Sequence, residues 1–138
     1  MSEENVEKVR WAYEESMAKR TVDVPGADER VAPGYRFHAR HGFPGRLLYT
    51  LDEMPALWAD LDATFSDHSL VPENYEAIGS DYVLVTVKQA ATLRGSDQRI
   101  DQTIYHLWRI VDGMLDETWT FTDEDAARKA AEAGRAGS

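Results

Sequence analysis

His106 is the side chain best placed for proton chemistry. It lies in the run Gln102-Thr103-Ile104-Tyr105-His106-Leu107-Trp108-Arg109-Ile110. Alternation puts Gln102, Ile104, His106, Trp108 and Ile110 on one face of a strand. A histidine facing a pocket can shuttle a proton near neutral pH or donate a hydrogen bond to a carbonyl. The plainer alternative is a buried histidine that only supports the strand. Tyr13 shares a helix stripe with Val6, Val9 and Met17. Its hydroxyl suits an oxyanion donor, or it is a core tyrosine satisfied elsewhere. His38 is the third candidate acid or base. Trp58, Gln102, Trp108, Thr118, Thr120 and Arg40 are read as substrate-binding. Thr118 and Thr120 share one face of the last strand with Asp116, while Glu117 and Trp119 take the other, and alternation alone leaves open which faces inward. His38-x-x-His41 has the spacing of paired metal ligands on a helix. Here it falls at a strand-to-loop junction without a third ligand, so no metal is expected. Arg99-x-Asp101 reads as a surface ion pair.

These residues need elements to hold them. Ser2 is suited to cap a helix that runs to about Arg20, on the stripe already named. Ala27 to Ala32 makes one helical turn, ended by Pro33-Gly34. Tyr35 to Ala39 alternates as a short strand. A second helix begins near Thr50, where Thr50 and Glu53 have capping-box spacing and Asp52 is the rival cap because of Pro55. Met54, Leu57, Trp58, Leu61 and Phe65 form its apolar stripe, up to Ser66-Asp67. The period then becomes two, which predicts strands at about 69–78, 81–93, 99–111 and 114–121. Asp112-Gly113 marks a tight hairpin. Thr122 is read as the cap of a last helix that Gly134 stops. Helices at the front and a strand meander at the back give an α+β fold, a cone-shaped curved antiparallel sheet wrapped around helices and enclosing one pocket. The other sheet face is left to solvent or a second subunit. Residues 1–134 form one domain, with 135–138 as a flexible tail.

Composition bounds the chemistry. The chain has 138 residues, 25 acidic and 15 basic, and a net charge of −10. A chain so acidic is repelled by phosphate polymers, which excludes nucleic acid as its main partner. It has no basic amphipathic helix suited to an anionic membrane and no apolar run long enough to span one. The acidic, polar N-terminus is the opposite of a secretory signal. Cysteine is absent, which removes disulfides, thiolate metal sites and cysteine nucleophiles and fits a cytoplasmic location. The charge is uneven. Arg30 to Leu51 contains Arg30, Arg36, Arg40 and Arg46 and no acidic residue. Such a stretch can meet an acidic patch on a partner subunit or attract a small anionic ligand.

The run His106-Leu107-Trp108-Arg109-Ile110-Val111-Asp112-Gly113, then Glu117-x-Trp119 and Thr122-Asp123-x-x-Ala126, resembles the SnoaL-like branch of the nuclear transport factor 2-like superfamily, the fold of ketosteroid isomerases and polyketide cyclases. The resemblance spans residues 3–134. For SnoaL-like cyclases it implies a histidine seven residues before Gly113, which is His106, and an aspartate seven after it, where Thr120 stands. That register favours Thr120 facing inward. For the isomerases it implies an aspartate near the end of the first strand, where Ala39-Arg40-His41 stands, and a tyrosine on the first helix, which Tyr13 roughly matches. The Asp-Arg-Asp set of epoxide hydrolases of this fold meets Ile104, His106 and Thr120. The expectation is a small-molecule pocket protein and homodimer without cofactor. It would be an isomerase-, cyclase- or hydratase-type acid–base enzyme acting on a small hydrophobic or polycyclic metabolite. The rival is a non-catalytic binding or accessory protein. A third reading is an assembly module.

Overall fold

The computed structural model describes residues 2–39 and 46–136. Helix α1 (Ser2–Trp11) runs on as a π-helical segment, Ala12–Met17, and α2 is the single turn Ala27–Arg30. Then follow β1 (Val31–His38), β2 (Leu48–Thr50), a 3₁₀ turn at Leu51–Glu53, and α3 (Met54–Thr64). Four long elements come next: β3 (Phe65–Ile78), β4 (Tyr82–Leu93), β5 (Arg99–Val111) and β6 (Met114–Phe121). Helix α4 (Glu124–Ala136) closes the chain.

The six strands form one open sheet in the order β2-β1-β6-β5-β4-β3. Every pair is antiparallel except β1 with β6, which run parallel. The chain thus has the expected α+β architecture, with a mixed sheet. Asp112 and Gly113 have φ of 53° and 78°. These left-handed values suit the tight turn that joins β5 to β6, and glycine adopts them without steric penalty.

Several boundaries differ from expectation for local reasons. β1 begins at Val31, so Pro33-Gly34 lies within a strand; it sits where the pairing with β6 is irregular between Val31 and Arg36. β3 starts directly at Phe65, and Ser66-Asp67 falls at a register shift rather than a loop. The Thr50–Glu53 capping box is formed, and it opens the 3₁₀ turn. Pro55 therefore lies in the first turn of α3, where its missing N–H costs nothing. The last helix is capped by Asp123, whose carboxylate accepts from the Ala126 amide at 3.2 Å, rather than by Thr122. It also runs through Gly134. A Cβ at Gly134 would stand 2.0 Å from the Tyr82 hydroxyl, so glycine there admits close packing instead of ending the helix.

The sheet has an apolar layer on each face. On the concave side Val83, Val85 and Val87 of β4 are fully buried with Ile104, Trp108, Leu57, Leu61 and Tyr13. Each such side chain contributes about 1.5–3 kcal/mol on burial. On the convex side Tyr82, Leu84 and Leu107 pack against Ala127 and Ala131 of α4. Those alanines lie one turn apart on one helix face, and their small size lets α4 sit close. Part of the second sheet face is therefore covered from within the chain.

Candidate functional site

Three aromatic side chains from two distant segments, the first helix and β5, meet under the concave face. Trp108 Nε1 donates to the Tyr13 hydroxyl at 3.0 Å. The same hydroxyl lies 2.6 Å from His106 Nδ1. The π-helical segment, with Ala18 N–H bonded to Tyr13 C=O at 2.9 Å, widens the helix where Tyr13 enters the site. Such segments recur at functional sites. Tyr13 also packs edge-on against Trp108 and stacks on His106.

Hydrogen-bond valence sets the proton positions. An indole N–H only donates, so the Tyr13 oxygen accepts from Trp108. The phenolic proton has His106 Nδ1 as its one acceptor among the described residues. Nδ1 is then the acceptor nitrogen, and the ring proton sits on Nε2. Burial holds His106 neutral, lowering its pKa to about 4. Burial likewise pushes the Tyr13 phenol well above its ordinary value, against a smaller opposing effect of the Trp108 bond. The relay is therefore uncharged throughout.

The space beside it is partitioned. A cavity of about 540 Å3 has Trp108, Tyr35, Leu115 and Met54 among its walls, with Asp23, Asp28 and Asp52 in its lining. A chamber of about 40 Å3 holds His106, Thr120, Gln89, Phe37 and Trp58. A groove of about 390 Å3 runs past Tyr13, Trp58, Arg20 and His68. Met17 borders all of them.

β6 presents Thr118 and Thr120 to this side, paired across the ladder with Trp108 and His106. Thr118 bonds the Tyr35 hydroxyl at 2.7 Å. Thr120 Oγ1 is buried and has no hydrogen-bond partner among the described residues. Gln102 stands behind Gln89, donating to its side-chain carbonyl at 2.6 Å. The Gln89 amide in turn meets His68 Nε2 at 3.0 Å.

The structure does not bring His38 to His106. Phe37 takes the inward position on β1, so the next residue points through to the convex face. There His38 bonds the buried carboxylate of Glu117 and stacks on Trp119. Arg36 and Arg109 reach the same carboxylate, each at 2.9 Å. Arg109 also pairs with Asp116. Arg40 and His41 lie outside the described residues, and no metal-ligand cluster occurs among those described. Arg99 lies 3.4 Å from Asp101 at the surface, as its spacing implies.

Two arginines of the positive stretch meet acidic partners among the described residues. Arg36 pairs with Glu117 and Arg46 with Glu53. Arg30 covers the Trp11 ring and bonds the Gly26 carbonyl. No described Lys or Arg lines the large cavity. No described helix is long and apolar enough to cross a membrane.

Tyr35, Met17 and Gln89 belong to the site and were not singled out from the sequence. Met17 follows Tyr13 on the same helix stripe, and Tyr35 alternates with Phe37, so both carried a signal. Gln89 carried none, because its place depends on pairing with Gln102 across the β4–β5 ladder.

No family model matches the sequence, and no curated protein matches it. Solved structures do. An NTF2-like protein of unknown function from Burkholderia pseudomallei is 21% identical, with a TM-score of 0.70 over 91% of this chain and 95% of its own. A candidate SnoaL-like polyketide cyclase from a Jannaschia species is 24% identical, with a TM-score of 0.65 over 94% and 92%. IdmH, a candidate polyketide cyclase from Streptomyces antibioticus, is 19% identical, with a TM-score of 0.59 over 89% and 94%. At such identities the likeness speaks for the fold, and the element order, the open mixed sheet and these matches together give this chain the nuclear transport factor 2-like fold shared with SnoaL-like polyketide cyclases.

Proposed function

We propose that this chain is a cofactor-independent protein for a small apolar carbonyl compound, in which His106 Nε2–H donates a hydrogen bond to the carbonyl oxygen. The observation that supports this reading is the Trp108–Tyr13–His106 relay, whose hydrogen bonds leave Nε2 as the protonated nitrogen of a neutral imidazole, on a residue that lines the small chamber. A pre-oriented donor in a site closed to bulk water stabilises negative charge that develops on oxygen, as in enolisation. The chemistry would be of isomerase or cyclase type. The ring system of the ligand would occupy the aromatic-walled cavity beside Trp108 and Tyr35. That lining, with its three aspartates and no described cation, suits a neutral ligand better than an anionic one.

The test uses paired naphthalenes that differ in the carbonyl oxygen, 2-acetylnaphthalene and 2-ethylnaphthalene. The ketone is expected to bind about tenfold tighter, the worth of one hydrogen bond. His106→Gln, which lacks the fixed imidazole, is expected to erase most of that preference. Equal affinities in the unaltered protein would sink the reading.

A specific observation favours a second reading, binding without turnover. The proton on Nε2 leaves His106 without a free lone pair, and no carboxylate lines its chamber among the described residues. Exchange of the ketone's α-protons in deuterated water separates the two. Accelerated exchange supports catalysis, and binding without exchange supports a carrier or accessory role.

A further inference from the structure

The His106 chamber contains a hydroxyl that the fold does not use. Thr120 Oγ1 is buried and unpaired among the described residues, a condition that native proteins rarely leave unanswered. The β5–β6 register sets Thr120 directly opposite His106, and both line the same chamber of about 40 Å3. On His106, Nδ1 is occupied by Tyr13, which leaves the Nε2–H donor. Gln89 lines the chamber as well. After its bonds to Gln102 and His68, its amide retains one N–H and one lone pair. A buried water needs room for about one probe sphere, roughly 10–15 Å3, and two to four polar partners. The chamber has room for one, and His106, Thr120 and Gln89 in its lining are the candidate partners.

We propose that His106 and Thr120 form a site for a single oxygen atom. In the free protein it holds a water that accepts from His106 Nε2–H and bonds the Thr120 hydroxyl. Because that hydroxyl can donate or accept, the site takes a carbonyl or a hydroxyl oxygen equally well. It disfavours an ammonium group, which has no lone pair to offer His106. When a ligand binds, its oxygen displaces the water; this step rests on the functional reading above. Met17 borders both the chamber and the large cavity, and its unbranched, flexible side chain is suited to yield as the oxygen passes.

Thr120→Val tests the site in the free protein, because it removes the hydroxyl and keeps the shape. A nuclear Overhauser cross-peak from the His106 Hε2 proton to a long-lived water is expected in the unaltered protein and is expected to weaken in Thr120→Val. The variant's Tm is expected to fall by about 3 °C. A higher Tm, the mark of a hydroxyl buried without a partner, overturns the proposal. So does the lack of a water cross-peak in the unaltered protein. Adding 2-acetylnaphthalene is expected to abolish the cross-peak, while 2-ethylnaphthalene leaves it. If the bound ketone leaves the water in place, the site stands for water alone and the ligand step fails. If the water site is present and the two naphthalenes bind equally, the functional reading fails and the oxygen site survives.

Discussion

β1, β5 and β6 build two different polar environments from alternate residues. On the concave face Trp108, His106 and Thr118 join Tyr13 and Tyr35 in uncharged hydrogen bonds. On the convex face Glu117 gathers Arg36, His38 and Arg109, with Asp116 behind. The first set is buried throughout. In the second, Glu117 keeps only 7% of its side chain exposed, while Arg36 keeps 46%, His38 31% and Arg109 32%. Burying an ion is costly, whereas a buried neutral group needs only a partner. Charge therefore collects where its cations can stay wet, and the neutral relay occupies the closed side. The proposed function places its low-dielectric donor on the concave face, and the convex cluster ties β1 to β6 and β5.

If the two faces differ in this way, breaking them should differ as well. The largest effect is expected from Tyr13→Phe, which orphans Trp108 Nε1 and His106 Nδ1 together. Chemical unfolding should register a loss of about 4 kcal/mol, since each stranded buried group costs about 1–3 kcal/mol. Next comes acid. The pKa of His106 is lowered from 6.5 to about 4 by burial, so the unfolded chain binds the proton first. Stability present above pH 6.5 is then lost as pH falls toward 4, below which the folded histidine also charges. The loss attributable to this group is about 3 kcal/mol. It should appear as the difference between the stability–pH curves of the parent and of His106→Gln. A third, smaller effect is expected from Glu117→Gln. Its half-exposed cations can rehydrate, so the cost should be about 1–2 kcal/mol and should shrink in high salt, unlike that of Tyr13→Phe. Smallest is Thr118→Val, which strands the Tyr35 hydroxyl for about 1 kcal/mol. A Glu117→Gln penalty larger than that of Tyr13→Phe would invert the comparison.

Much of this contrast was readable from alternation. The long strands β4 to β6, their hairpin at Asp112-Gly113 and the shared face of His106 and Trp108 follow from period and turn chemistry. The reading of His38 as an acid or base beside His106 overlooked the same alternation, since Tyr35-Arg36-Phe37-His38 sets it with Arg36 and against the two aromatics, and it pairs with Glu117 instead. The remainder was not local. Tyr13 and His106 are 93 positions apart, and a helix stripe does not say which strand residue it meets. β2 is three residues long and exists through its pairing with β1. The parallel contact of β1 with β6 joins the two halves of the chain, and no short-range pattern encodes it. Nor does net charge along the sequence show that Glu117 and Glu53 meet Arg36 and Arg46 of the arginine stretch in space.

The most direct test of the account is the state of the His106 ring. Nitrogen-15 NMR of histidine-labelled protein between pH 8 and pH 4 should show His106 neutral down to about pH 5, with Nε2 protonated and Nδ1 in the acceptor range. A titration centred near 6.5, or a proton on Nδ1, would contradict it.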